Sequence, residues 1–300
     1  MTMPWRATLA MLCAFMLPGA AQTPPQTILF VGNSFTFGAG SAVWKYRAGT
    51  VTDLNGGGVG GVPALFKLFA DQAGLDYQVS LETAPGKSLE WHWRTKAALI
   101  DRRWDHVVLQ DYSILNPDRP GDPTGLITYS GRLAALFAKH NPNIAINLAA
   151  TWSRPDQTYP ATGAWRGKPI QQMALDLREA YDRAAAQSRP RARVVPIGQA
   201  FNCAIAAGIA DPNPYDGTEY GQIDLWTHDH YHASMFGSYL AGLTVFAGVT
   251  GHDPRLLGRD ERAASELGIA PDVAQRLQSV AWRIANGHAC SKETSQDMPE

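Results

Sequence analysis

Ser34 follows the run Thr27-Ile28-Leu29-Phe30-Val31 through an abrupt break at Gly32-Asn33. The run is β-branched or apolar throughout and short enough for a buried strand rather than a helix. Gly and Asn both favour a sharp turn after it. A serine at such a strand-to-helix turn stands at the carboxyl edge of a sheet, where open α/β folds place their ligands. It could equally cap the next helix, a common role for serine. Far downstream, Asp229 and His232 stand three apart in Thr227-His228-Asp229-His230-Tyr231-His232, just before an apolar helical stretch from about Met235 to Val249. In a turn, this spacing lets the carboxylate reach the far nitrogen of the imidazole. The three side chains suit nucleophilic catalysis. A serine hydroxyl attacks poorly unless an oriented histidine takes its proton, and a carboxylate fixes the tautomer and stabilises the imidazolium.

The same segment has a competing reading. His228, His230 and His232 alternate, so a strand would point all three to one side, as in a metal site. The His-x-His-x-Asp-His run of metallo-hydrolases would need Asp at position 232 and His at 233, and neither is present. A metal-dependent hydrolase is therefore the weakest alternative, behind a plain surface histidine cluster. His106 and His140 sit at element ends and read as structural. The glycine-rich stretch 38–61 lacks the Gly-Lys-Ser/Thr of a phosphate loop and is expected to be a mobile loop over the cleft.

The elements that must position these groups alternate along the chain. Apolar residues at helical spacing predict a helix from Val62 to Ala73, and alternation predicts a strand over Tyr77–Leu81, ended by Ala84-Pro85-Gly86. A helix over Ser88–Ile100 and a buried strand His106–Leu109 follow. Next come a helix from about Gly125 to His140, a strand Ile144–Leu148 and a long polar loop. A helix Ile170–Gln187, a strand Arg193–Ile197 and a helix Gly198–Gly208 complete the series. This order predicts an α/β fold with a parallel sheet covered on both faces.

Residues 1–21 carry Arg6, an apolar run from Leu9 to Leu17 and the exit Pro18-Gly19-Ala20-Ala21, the pattern of a secretory signal peptide cleaved near Ala21. The remaining residues, 22–300, suit one domain, with a core at about 27–249 and peripheral helices over 250–300. A secreted or periplasmic location follows. It makes a disulfide possible between Cys203 and Cys290, the two cysteines left in the mature chain, although buried free thiols would fit equally well. The formal net charge of −1 gives no nucleic-acid signal, and no later apolar run is long enough to span a membrane.

The block Gly32-Asn33-Ser34 after the first strand, a mid-chain Gly86 and Asp229-His230-Tyr231-His232 together resemble the SGNH/GDSL hydrolase superfamily over about residues 27–249. The resemblance implies a three-layer α/β/α sandwich, flavodoxin-like, and a cofactor-free serine esterase acting through an acyl-enzyme. It implies Ser34 as nucleophile, His232 as general base and Asp229 as its orienter, with the N–H groups of Ser34 and Gly86 forming the oxyanion hole. Where the family usually carries Gly-x-Asn-Asp, whose Asn is the third oxyanion donor, this chain has Leu109-Gln110-Asp111-Tyr112-Ser113. Gln110 could supply an equivalent amide N–H. Asn116 is the alternative, and Gln110 could instead only hydrogen-bond the loop.

The expected substrate is a small-molecule or glycan ester, with a carbohydrate O-acetyl ester preferred. The loops 112–125 and 151–168 interleave hydrogen-bonding residues with Tyr112, Trp152, Tyr159 and Trp165, which suits a hydroxyl-rich ligand. Trp91, Trp93, Trp152 and Trp226 are each expected to be core residues, with a subset free to stack on sugar rings. Alternatives are a lipase or short-chain acyl esterase of the same fold and a catalytically silent glycan-binding relative.

Overall fold

The computed structural model describes residues 24–290; the expected signal peptide and residues 291–300 lie outside that range. The first strand, β1 (Gln26–Gly32), runs through the middle of the sheet, and its Ile28, Leu29, Phe30 and Val31 are almost fully buried. The chain continues through α1 (Ser34–Phe37), a short edge strand β2 (Thr52–Asp53), α2 (Gly61–Gln72), β3 (Tyr77–Thr83), α3 (Leu89–Ile100), β4 (His106–Leu109) and α4 (Thr124–Ala138). After β5 (Ala145–Ala150) come α5 (Pro155–Thr158), α6 (Gln171–Gln187), β6 (Ala192–Pro196), α7 (Ile197–Ala206), α8 (Met235–Thr250), α9 (Arg262–Leu267) and α10 (Pro271–Ala285).

The six strands pair in the order β2-β3-β1-β4-β5-β6, all parallel. A parallel sheet needs helices on both faces, and alternation along β1 shows how they are divided. Ile28 and Phe30 join the layer formed with α2, α7, α8 and α10, whereas Leu29 and Val31 face α3, α4 and α6. The expected three-layer α/β/α sandwich is what forms.

Two regions differ from expectation. The stretch 38–61 is not a loose flap. It donates β2 to the sheet edge, buries Val43 completely, and is pinned by the N–H groups of Gly60 and Gly61 on the carbonyls of Trp44 and Val43, each at 2.9 Å. The segment after residue 250 is not merely peripheral either. Leu277 and Val280 of α10 are fully buried, and Cys290 beyond it forms a disulfide with Cys203 of α7. That bond closes a loop of 87 residues, long enough to constrain the unfolded chain substantially. Among the described residues, no helix is long and apolar enough to cross a membrane.

Candidate active site

β1 delivers Ser34 to the carboxyl edge of the sheet. Asn33, not Ser34, is the helix cap: its Oδ1 accepts the Phe35 N–H at 3.2 Å. Ser34 becomes the first residue of α1, and its N–H, at a helix start, has no intrahelical acceptor. Neither its hydroxyl nor its N–H bonds another described residue. Gly32 is required for space: a Cβ there would meet Thr36 Oγ1 at 2.2 Å and Gln110 Oε1 at 2.7 Å.

The turn is held from beneath by the end of β4. Gln110 Oε1 accepts the Asn33 N–H at 3.0 Å and the Thr36 hydroxyl at 2.9 Å, while its Nε2 donates to the Asp111 carbonyl. Because two donors fix Oε1, the amide orientation is settled. Gln110, expected as an oxyanion donor, is buried with Oε1 bracing the nucleophile turn and one of its two Nε2 N–H groups turned back onto the chain. Of the two readings the sequence left for this amide, the loop-bonding one describes its geometry.

Gly86 sits in a tight turn, Ala84-Pro85-Gly86-Lys87, closed by Lys87 N–H on the Ala84 carbonyl at 3.3 Å. Proline second and glycine third, with Gly86 at φ +63°, is the arrangement a type II turn requires. Asn33 Nδ2 ties this turn to the nucleophile turn by donating to the carbonyls of Lys87 (3.0 Å) and Asp111 (3.2 Å). Asp111, fully buried, accepts the N–H groups of Leu89 (2.9 Å) and Tyr112 (2.7 Å) on Oδ1. Burial pushes its carboxyl up to about 6, against the pull of those two N–H groups. The one signal of this role for Asp111 is an acidic residue just after an apolar strand.

On the other side of Ser34, residues 227–232 form a turn. His232 Nδ1 bonds Asp229 Oδ2 at 2.6 Å. Asp229 Oδ1 collects the Thr227 hydroxyl (2.6 Å) and the N–H groups of Tyr231 and His232 (each 2.9 Å). Burial works to raise the Asp229 carboxyl, but these bonds outweigh it and hold the group well below the usual carboxylate range. The imidazole is thus fixed at Nδ1, while its Nε2 is buried and has no partner among the described residues. The His232 ring lies edge-on to Phe35, the residue after Ser34, with centroids 5.8 Å apart. The structure therefore brings Ser34, Asp229 and His232 to one edge of the sheet.

His228 and His230 do not join them. His228 is exposed, and His230, at φ 54°, packs tilted against Tyr215 with centroids 4.1 Å apart. The segment is a turn, so the alternating histidines do not share a side. Among the described residues, no group of three His, Cys, Asp or Glu side chains is placed to hold a metal ion.

Trp152 is core, as expected, sandwiched between Phe35 and Phe201, although its loop also suited a ligand; Trp165, named with that loop, is buried too and donates Nε1 to Asp176 at 2.7 Å. Arg154 and Asp156 are paired with each other. Trp226 is core, whereas Trp91 of α3 is half-buried and lines a cavity of about 540 Å³ that begins at Gly86. Asn116 lines the same cavity, its Oδ1 taken by the N–H groups of Asp118 and Arg119.

No family model matches the sequence, and comparison with curated proteins finds no match. Solved structures do match. A DUF4886 family protein from Bacteroides uniformis superposes with a TM-score of 0.64 at 18% identity, covering 90% of this chain and 99% of that one. The shared fold is the parallel sheet covered by helices on both faces. A candidate SGNH hydrolase from Slackia heliotrinireducens aligns over 74% of this chain and 98% of its own at 22% identity and a TM-score of 0.48. TesA aligns over 74% and 96% at 17% identity with the same TM-score. At 18% identity the likeness to the Bacteroides protein is one of fold alone.

Proposed function

We propose that the protein is an exported serine hydrolase that cleaves acyl esters of carbohydrates. The observation that carries this reading is His232. Its Nδ1 is locked on a carboxylate with a strong preference for the ionised form, and its Nε2 is buried and unpartnered beside the Ser34 turn. A neutral imidazole held in that tautomer can accept the Ser34 hydroxyl proton as the oxygen attacks an ester carbonyl. The negative charge that develops on the carbonyl oxygen would be met by the N–H groups of Ser34 and Gly86, neither of which has another acceptor. His232 then returns the proton to the leaving alkoxide, and water, activated the same way, releases the acyl group.

One feature supports a polar substrate and another supports export. The cavity beside Gly86 mixes Lys87, Ser88, Thr95 and Asn116 with the rings of Trp91 and Tyr112, and Leu115 is its one aliphatic side chain besides Pro117, unlike the aliphatic channel a long acyl chain needs. The Cys203–Cys290 disulfide and the leader-like residues 1–21 suit an oxidising compartment outside the cytoplasm. Specificity constants on acetyl, butyryl and octanoyl nitrophenyl esters, and on an acetylated oligosaccharide, test the reading. Acetyl esters should be cleaved fastest and the oligosaccharide best of all. A rise with chain length would reject the carbohydrate assignment.

A further inference from the structure

The cavity that begins at Gly86 has a charge pattern that a neutral sugar would not use. Its wall carries the indole of Trp91, with the Lys87 ammonium 5.7 Å from the ring centroid. Lys96 approaches the same indole at 5.9 Å. The other cation on the wall, Arg94, is already engaged, with Nε on Glu90 at 2.7 Å and Nη2 on the Tyr129 hydroxyl at 2.9 Å. Glu90 is paired with Arg94 and also accepts the Tyr129 hydroxyl, at 2.7 Å. Lys87 has no carboxylate within ion-pair distance among the described residues, and Lys96 meets only the neutral Asn55 amide oxygen at 2.8 Å. Asp111, the remaining acid on the wall, is buried, and its Oδ1 accepts two N–H groups rather than a cation. Lys87 is therefore the cation on this wall that lacks a carboxylate partner among the described residues, and Ser88, Glu90 and Trp91 bring the start of α3 to the cavity's edge.

The shape of the wall narrows the anion further. Two aromatic side chains, Trp91 and Tyr112, among short hydroxyl and amide groups suit a ring with an apolar face and polar edges, which is how a pyranose is held. Asn33, the neighbour of Ser34, bonds the carbonyl of Lys87, so the cavity opens next to the nucleophile turn. We propose that it is a subsite for a uronate ring, with the ring against Trp91 and its carboxylate on Lys87. This inference deepens the carbohydrate-ester reading and rests on it for its place in the reaction. The enzyme would then act on acyl esters of acidic polysaccharides.

Calorimetric titration of the full-length mature protein with digalacturonate and with neutral galactobiose tests the subsite without turnover. Digalacturonate should bind about tenfold more tightly, the weight of one charge-assisted contact, and added salt should erode the difference. Lys87→Met, at an exposed position, should bring digalacturonate down to the affinity of galactobiose and leave galactobiose unchanged. Trp91→Ala should weaken both. Equal affinities in the wild type, no saturable binding of either sugar, or a preference that survives Lys87→Met would each overturn the proposal. Because binding is read directly, these outcomes are separate from loss of ester hydrolysis, which would overturn the esterase reading instead.

Discussion

The ring of Phe35 lies flat on the indole of Trp152, with centroids 4.1 Å apart and planes 4° from parallel. Phe35 follows the candidate nucleophile, and Trp152 Nε1 donates to the carbonyl of Tyr231, the residue before the candidate base, at 3.3 Å. Tyr231 is itself clamped from behind by Arg154, whose guanidinium lies 3.6 Å from the ring centroid. The two halves of the site come from opposite ends of the chain, and this stack is what connects them. Phe201 of α7 closes it on the far side, with its ring parallel to Trp152 at 5.0 Å.

Replacing Trp152 with Phe should keep most of the stacking but remove the bond to the Tyr231 carbonyl. Turnover should fall about tenfold or more with KM little changed, because a small misplacement of the base is costly to the chemical step. Trp152→Ala should also destabilise the fold by ~3–5 kcal/mol through the cavity it leaves. Steady-state kinetics with chemical denaturation separate the two effects. Unchanged turnover in Trp152→Phe would show that the stack does not align the site.

His232→Ala should reduce ester hydrolysis by ~10³ or more, in line with removal of a member of a nucleophilic relay. His228→Ala and His230→Ala should retain most activity, since one is exposed and the other packs against Tyr215. Initial rates on nitrophenyl acetate for the three variants decide this. Equal losses in all three, with recovery on added zinc, would favour a metal mechanism.

Gln110→Ala should act on stability and activity together. The substitution strands the buried Asn33 N–H and removes the acceptor of the Thr36 hydroxyl, at ~1–3 kcal/mol for each buried group left unpaired. Glu at this position keeps an acceptor for both and should recover much of the loss. A fall in turnover with an unchanged unfolding midpoint in Gln110→Ala would return Gln110 to the oxyanion hole.

Several of these features were legible in the sequence and others were not, for physical reasons. The strand into Ser34 could be read because Ile28 to Val31 are apolar without a break, as burial on both faces demands. The Asp229–His232 pair could be read because a separation of three residues in a turn limits where the carboxylate can reach. β2 could not: Thr52-Asp53 has no pattern of its own and pairs only because β3 offers an edge. The inward role of Gln110 was also hidden, since an amide has a donor end and an acceptor end and only the surroundings choose between them. The same holds for tryptophan. Nothing in composition separates Trp152, sealed in a stack, from Trp91, which lines a cavity.

Asp111 should leave a signature in the pH dependence of stability. Its folded-state carboxyl, pushed up to about 6 by burial, binds protons more tightly than the same group in the unfolded chain, near 3.8. Between those values the folded state holds the extra proton, so stability falls as pH rises through the window. Asp111→Asn keeps an acceptor for Leu89 and Tyr112 but cannot titrate. Relative to that variant, the wild type should lose on the order of 2–3 kcal/mol between pH 4 and pH 7. Urea unfolding of both proteins across the range measures it, and a constant difference would contradict the assignment.

The central claim, that Ser34 is the nucleophile, is tested most directly by trapping it. The protein would be incubated with a fluorophosphonate, digested, and the modified peptide sequenced by mass spectrometry. Ser34 should carry the adduct stoichiometrically, activity should be lost in step with labelling, and Ser34→Ala should be unlabelled, inactive and as stable as the wild type. Adduct on another residue, or full ester hydrolysis by Ser34→Ala, would contradict the account.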